Sequence, residues 1–304
     1  MSPLLETQGL GYQYIPGAWA LRDINLRIHA GDRLAVLGAN GAGKSTLLLA
    51  LAGMLHLTEG QLICEGRPVR SRQSRSYLRD KIGLLLQNPE DQLFAPTVEQ
   101  DVAFGLLQRG VPNHTALDRS RAVLDRLRIS HLAGRQVHQL SLGEKKRVAL
   151  AGLAAVGPSL LLLDEPSAGL DHDGRCALLE VLRSLQAGGA AVVLTTHDAD
   201  LAAQWASTVA ILDAGRVTAQ GGNQRILSDH GLLDSARLVP PSTYVAAMAL
   251  RELYPPSAEW KLPATLSELD QFVRRIAQSR PSHTPQPRDE RVPNAPGPLL
   301  SGEL

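Results

Sequence analysis

The stretch Gly38-Ala39-Asn40-Gly41-Ala42-Gly43-Lys44-Ser45 matches the pattern G-x-x-x-x-G-K-[S/T] at every fixed position. An apolar run, Leu34 to Leu37, precedes it, and a leucine-rich segment with helical spacing follows it. Glycines let a loop wrap closely around a phosphate, and amide groups at the start of a helix point toward a bound anion. The pattern predicts a phosphate-binding loop in which Lys44 reaches the β- and γ-phosphates and the Ser45 hydroxyl binds Mg²⁺.

A second motif places two acids at the end of another apolar run. Leu160-Leu161-Leu162-Leu163-Asp164-Glu165 has the composition of a buried parallel strand followed by carboxylates. In nucleotide-hydrolysing sites an aspartate here holds Mg²⁺ through water, and the adjacent glutamate polarises the attacking water. Asp164 is therefore a candidate ligand of Mg²⁺ bound with ATP, and Glu165 is a candidate general base.

Apolar runs and helical segments alternate along the chain, at 34–37 and 45–55, 160–163 and 174–185, and 191–194 and 199–205. This alternation predicts an α/β fold whose mostly parallel sheet is covered by helices. Residues 209–220 instead predict a hairpin around Asp213-Ala214-Gly215. Residues 88–140 are polar with helical spacing, and we interpret them as a helical insert projecting from the sheet core.

Composition argues against several classes of protein. The 304 residues carry 31 basic and 30 acidic side chains, and this balance is unlike that of a protein whose main partner is a nucleic-acid backbone. Cys64 and Cys176 are too few for a disulfide scaffold or a cysteine zinc site, and they fit a reducing compartment. We expect no secretory signal. The longest apolar run, 148–163, is shorter than the ~18 residues of a membrane-spanning helix.

Residues 4–235 resemble the ATP-binding cassette (ABC) ATPases, because further motifs follow in that family's order. They are Tyr14 before the first strands, Gln87 after the strand 83–86, the signature-like 140–144 (LSLGE), the D-loop-like 167–171 (SAGLD) and His197 after 194–196. The resemblance implies a P-loop NTPase core with a mostly parallel sheet, an N-terminal antiparallel β subdomain and an inserted α-helical subdomain. We predict an ATPase domain over 1–240 with the insert at about 88–140, a helical extension over 241–280, and a disordered, apolar-poor tail over 281–304.

The same resemblance implies a role for each motif residue, with ATP and Mg²⁺ as the bound groups. The implied catalytic residues are Glu165, His197 and Gln87, and the implied Mg²⁺ ligands are Ser45, Gln87 and Asp164. The implied ATP-binding residues are Tyr14, which stacks on adenine, and Gly38, Ala39, Asn40, Gly41, Ala42, Gly43, Lys44, Ser45 and Thr46. In this family two ATPase subunits sandwich two ATP molecules. Ser141 and Gly143 would then contact the ATP of the partner subunit, and Asp171 belongs to the D-loop.

The signature departs from the family pattern at two positions. Leu142 stands where the family usually has glycine, so its side chain could alter how closely the partner's ATP approaches. Glu144 replaces the commoner glutamine, which is a mild change. Because Ser141 and Gly143 are kept, we still expect this segment to contact nucleotide.

ABC ATPases serve several functions, and the sequence favours a transporter subunit. DNA-repair and chromosome-organising members carry a long coiled coil, and ribosome-acting members usually join two cassettes in one chain; this sequence has neither feature. Residues 88–105 resemble the segment after the Q-loop glutamine in energy-coupling-factor importers, where it receives coupling helices. We expect Leu93, Phe94, Val98 and Phe104 to line a groove of that kind.

This resemblance implies a set of partners and a location. They are a transmembrane coupling subunit, a membrane substrate-binding subunit and a second ATPase subunit, expected to form a homodimer, with no nucleic acid. The chain would lie peripherally on the cytoplasmic face of the cell membrane. An ATPase subunit does not touch the cargo, so cobalt or nickel, which we favour, and a vitamin both stay open.

Overall fold

The computed structural model describes residues 2–253 and 261–278; the tail predicted over 281–304 lies outside them. Strands in these ranges are β1 (Leu5–Ile15), β2 (Ala18–Ile24), β3 (Arg27–Ile28), β4 (Arg33–Leu37), β5 (Glu59–Cys64), β6 (Arg67–Pro68), β7 (Ile82–Leu85), β8 (Leu160–Asp164), β9 (Ala191–Thr196), β10 (Thr208–Asp213) and β11 (Arg216–Gly222). Helices are α1 (Lys44–Leu51), α2 (Arg72–Lys81), α3 (Val98–Gln108), α4 (Asn113–Arg126), α5 (Leu142–Val156), α6 (His172–Ala187), α7 (Ala199–Trp205), α8 (Asn223–Leu227), α9 (His230–Ser235), α10 (Ser242–Leu253) and α11 (Leu266–Gln278).

The central sheet has six strands in the order β11-β10-β4-β9-β8-β7. All neighbours are parallel except β10 and β11, which form the predicted antiparallel hairpin. Its apolar strands are buried on both faces, as near-continuous runs of Leu and Val require. In β4, Leu34 and Val36 pack in one core while Ala35 and Leu37 pack in the other. The predicted mostly parallel α/β sheet is confirmed.

A second sheet lies N-terminal to and beside the first. It is antiparallel, in the order β2-β1-β5-β6, with β3 also paired to β1. The two sheets meet near the predicted phosphate-binding loop, where Arg22 N donates to Gly215 O over 2.8 Å. This sheet is the N-terminal β subdomain implied by the family resemblance.

Between β7 and β8 the chain forms helices rather than strands. Residues 88–140 hold α3, α4 and three short 3₁₀ turns, and α3 packs against both α4 and α5. Val98, the first residue of α3, is fully buried in the main core, so its predicted place in an exposed groove is wrong. Phe94 stays 62% exposed and meets the Phe104 ring edge-on, at 4.5 Å between ring centroids.

The C-terminal helices are part of the main core. Tyr244 and Ala247 of α10 are fully buried, and Phe272 and Ile276 of α11 belong to the same apolar cluster as Trp205 of α7. Gln224 also donates to Leu262 O over 3.2 Å. Among the described residues, no helix has both the length and the apolar character needed to span a bilayer.

Candidate active site

A cavity of about 650 Å³ opens where β4, β8 and β9 end, which is where parallel sheets place their ligands. Strand register sets this position, because Leu37 pairs with Thr196 and Asp164 pairs with Thr195. The residues that follow each strand therefore meet at one edge. The predicted site residues on the cavity wall are Tyr14, Asn40, Gly41, Gly43, Lys44, Ser45, Thr46, Gln87, Glu165 and His197.

The loop at 38–45 wraps closely around the start of α1. Gly41 and Gly43 have φ angles of 83° and 103°, which L side chains rarely adopt. A Cβ at Gly43 would also lie 2.7 Å from Ala20 O. The Lys44 ammonium donates to Gly38 O at 2.8 Å and to Ala39 O at 3.2 Å. Gly38, Ala39 and Ala42 thus shape the loop from behind rather than line the cavity.

Glu165 lies at the centre of the charged part of the site. Its Oε1 is 3.1 Å from Lys44 Nζ and 3.1 Å from His197 Nδ1. The Lys44 and Glu165 side chains are each only 7% exposed, whereas His197 is 58% exposed. Glu165 Oε2 is buried and has no hydrogen-bond partner among the described residues. A buried carboxylate oxygen without a partner costs free energy, so this atom has an unmet capacity to accept a hydrogen bond.

The oxygen donors predicted for Mg²⁺ are of the type that this ion prefers. Ser45 and Gln87 reach the cavity wall. Asp164 is 4% exposed, does not line the cavity, and accepts a 2.6 Å hydrogen bond from Thr195 Oγ1. Few protein ligands suit Mg²⁺ bound to a nucleotide, because the ion keeps waters and phosphate oxygens in its shell. These residues fit Mg²⁺ bound with ATP, with Asp164 acting through water.

The aromatic end of the cavity holds one residue that the sequence predicted and one that it missed. Tyr14 is 62% exposed, its hydroxyl is 3.1 Å from Thr46 Oγ1, and its ring meets Tyr12 edge-on. Its stacking on adenine stays a prediction. Trp19 lines the same wall, under the Arg22 guanidinium, and belongs to none of the motifs from which the sequence predicted the site.

Ser141 and Gly143 lie outside this cavity, at the start of α5. The Ser141 hydroxyl accepts from Glu144 N at 3.3 Å, and the Glu144 carboxylate accepts from Ser141 N at 2.7 Å. That backbone hydrogen bond lowers the pKa of Glu144 from its usual value. A hydrogen bond with the Ser141 side chain contributes to the same pKa shift, so the hydroxyl and the carboxylate form one local network at the start of α5. Contact of Ser141 with a phosphate of another subunit stays a prediction.

Two further residues lie near the signature on the same chain. Leu142 is 41% exposed, and its Cδ2 would lie 2.7 Å from a Cβ at Gly169, so its side chain covers the D-loop of its own chain. Asp171 caps α6, where it accepts from Gly174 N at 2.8 Å. Within one chain, Ser141, Gly143 and Asp171 therefore do not line the cavity.

Comparison with known proteins supports the resemblance to ABC ATPases independently of the site geometry. The family profile described as "ABC transporter" matches residues 21–168. The chain is 43% identical over 270 residues to the "Cobalt import ATP-binding protein CbiO" of Rhodobacter capsulatus, covering 88% of this chain and 96% of that protein. It is 40% identical over 241 residues to the "Energy-coupling factor transporter ATP-binding protein EcfA" of Methanothermobacter thermautotrophicus, covering 79% and 78%.

Solved structures show the same fold. CbiO1 from Clostridium perfringens, described as part of the ABC transporter complex cbiONQ, superposes with a TM-score of 0.70. The two share 35% identity, and the match covers 77% of this chain and 94% of that one. A dimeric ATP-binding cassette bound to ADP and Pi gives a TM-score of 0.65 at 24% identity, which supports the fold alone.

Proposed function

Because this chain belongs to the family of ABC transporter ATP-binding proteins, we propose that it is the ATP-hydrolysing subunit of an energy-coupling-factor type importer. The observation that carries the ATPase assignment is the Glu165 carboxylate, held 3.1 Å from both Lys44 and His197 at the mouth of a phosphate-binding loop. A carboxylate at this place can orient and deprotonate a water aimed at the γ-phosphate.

The chain's own residues divide the work of hydrolysis. Backbone amides of the loop at 38–45 and the start of α1 bind phosphate oxygens. A triphosphate gives Lys44 a stronger anionic partner than Glu165, so its arrival frees the Glu165 carboxylate to hold water. His197 contacts the γ-phosphate and stabilises the charge on it. Ser45, Gln87 and, through water, Asp164 would hold Mg²⁺, which would supply positive charge to neutralise the phosphates.

Glu165→Gln tests the ATPase assignment. The variant keeps the size of the side chain and removes the charge that accepts a proton, so hydrolysis should fall by about 10²-fold or more while ATP binding survives. Phosphate release and binding of a fluorescent ATP analogue measure the two quantities. Glu180→Gln is the matched control, since Glu180 lies on the surface of α6 beside Arg128. Wild-type turnover in Glu165→Gln would contradict the assignment.

The surface beside Gln87 supports the transport role. A groove of about 440 Å³, lined by Glu90, Leu93, Phe94, Ala95, Pro96, Val137, His138 and Lys145, opens on the helical insert. Its apolar floor and exposed Phe94 suit the apolar face of a helix. We assign this insert groove to a coupling helix of a transmembrane subunit, which would hold the chain at the cytoplasmic face of the membrane together with a substrate-binding subunit.

Cobalt or nickel is the cargo that we propose, on the strength of the 43% identical relative that is named for cobalt import. The chain should therefore co-purify with a transmembrane subunit and support energy-dependent uptake of radioactive Co²⁺. Phe94→Asp should abolish both co-purification and uptake while ATPase activity of the isolated chain stays within about twofold. Val239→Asp, at a site that is 79% exposed and away from the groove, is the control. Uptake of a vitamin and not of metal would overturn the cargo.

A further inference from the structure

Lys146 is a buried cation that the motifs of the site leave without a role. It lies on α5, one turn beyond Ser141, and is 2% exposed. Its ammonium donates to Ala168 O at 2.6 Å and to Glu165 O at 3.2 Å. Both acceptors are backbone carbonyls, one of them in the D-loop (residues 167–171) and the other in the proposed general base itself.

Burial at this position works against the charge. Desolvation lowers the pKa of the Lys146 ammonium, and the nearby Glu165 charge opposes that shift. A buried cation without a carboxylate in contact is costly unless its hydrogen bonds are well placed, and an apolar side chain would fill the same space at lower cost. The neighbouring Lys145 shows the ordinary arrangement, an ion pair with the exposed carboxylate of Glu90. The contacts of Lys146 therefore point to a task that needs an ammonium.

The backbone of Glu165 explains what that task is. Glu165 has a φ angle of 44°, in the left-handed region that non-glycine residues rarely adopt. Such a conformation persists only when the surroundings hold it. Its amide donates to Thr195 O at 3.1 Å, and its carbonyl accepts from Ala168 N at 3.1 Å as well as from Lys146. Lys146 is thus the link between this backbone and the signature helix α5.

We propose that Lys146 is a positioning residue that fixes the backbone of Glu165 and of the D-loop to the signature helix, and so sets the direction of the Glu165 carboxylate. The inference rests on the proposed role of Glu165 as general base. A positioning role and a general loosening of the structure predict losses at different ATP sites of a dimer. Lys146 acts on the site of its own chain, whereas damage to the signature helix acts on the ATP of the partner.

Mixed dimers of full-length chains with two different affinity tags test this distinction. In the first, one chain carries Glu165→Gln and the other carries Lys146→Met, so the remaining intact glutamate lacks its own Lys146. In the second, one chain carries both substitutions and the other is wild type. Turnover is compared with a dimer of Glu165→Gln and wild type. We expect a fall of about 10-fold to 10²-fold in the first dimer, as misplacement of a catalytic group causes, and a change within twofold in the second.

Controls separate failure of this inference from failure of the proposed function. If a dimer with Glu165→Gln in both chains turns over like the wild type, the role of Glu165 is wrong. If that dimer is inactive, then a loss in the second mixed dimer, an equal loss in both, or no loss in either overturns the positioning role. Lys146→Arg should restore most of the turnover in the first dimer, and Lys81→Met, at a surface lysine of α2, should change nothing. Lys146→Leu provides the same comparison if Lys146→Met does not fold.

Discussion

At the scale of single residues, Lys44 and His197 both contact the Glu165 carboxylate, but Lys44 is buried and His197 is exposed. The Lys44 side chain is 7% exposed and bonded to two loop carbonyls, whereas His197 is 58% exposed. Lys44 therefore shapes the loop through its carbonyls, in addition to its proposed role of facing the phosphates. His197 follows β9, and we propose that it meets nucleotide only on the side of the γ-phosphate.

We predict that Lys44→Ala weakens ATP binding by at least about tenfold, because it removes the charge that faces the β- and γ-phosphates and leaves Glu165 buried without its cation. His197→Ala should leave the dissociation constant of ATP within about twofold and lower kcat by about 10²-fold. Equilibrium binding of a fluorescent ATP analogue and steady-state phosphate release measure the two effects. An equal loss of affinity in both variants would refute this division of roles.

Motif spacing predicts the charged residues of the site, but it does not predict contacts that form only when the chain folds. Lys44, Glu165 and His197 could be predicted because each follows an apolar strand at a fixed place in a pattern. Lys146 could not, because in the run Lys145-Lys146-Arg147 only tertiary packing decides which cation is buried. The contact between Leu142 and Gly169 could not be predicted either, because it joins segments distant in sequence.

At the scale of elements, α7 joins the active site to the C-terminal helices. It begins two residues after His197, with Asp198 as its N-cap. Asp200, in its first turn, accepts from Ser242 N at 2.8 Å and from the Ser242 hydroxyl at 2.9 Å. Ser242 is the first residue of α10, so the Asp200 carboxylate links the start of the extension to the helix that follows His197.

We predict that Asp200→Ala lowers the free energy of unfolding by about 1–3 kcal/mol, since it removes a charged acceptor and leaves the start of α10 without these hydrogen bonds. Urea unfolding measures the change. Asp173→Ala is the matched control, because Asp173 also lies in the first turn of a helix, is exposed, and has no hydrogen-bond partner among the described residues. Equal changes in the two variants would mean that only the helix dipole is affected.

Element types were more predictable than the packing between elements. Apolar patterns predict the parallel strands and the helices that alternate with them, because periodicity reports which face of an element is buried. The same patterns do not report which surface covers that face. Val98 illustrates the limit, since an apolar residue at the start of a predicted insert could face a groove or the core, and it faces the core.

At the scale of the whole molecule, one chain does not bring all the residues of the proposed ATP site to one cavity. The cavity holds Lys44 and Glu165, while Ser141 and Gly143 at the start of α5 do not line it. A second chain that presents its α5 to this cavity would bring amide and hydroxyl donors to the γ-phosphate. Leu142 contacts its own D-loop at Gly169 and stays 41% exposed.

We predict that this closure depends on ATP, since the triphosphate supplies negative charge that both surfaces share, and a ligand shifts an association only as far as it binds the associated state better. Glu165→Gln should therefore run as a dimer in size-exclusion chromatography with light scattering when Mg²⁺ and ATP are present, and as a monomer without them. Adding Ser141→Phe should abolish the dimer, because the ring would occupy the space of the partner's phosphate, whereas Ser76→Phe on the exposed face of α2 should leave it intact. A monomer under both conditions, with the transmembrane subunit also present, would contradict the sandwich mechanism. A dimer that persists with Ser141→Phe would place the contact elsewhere on the molecule.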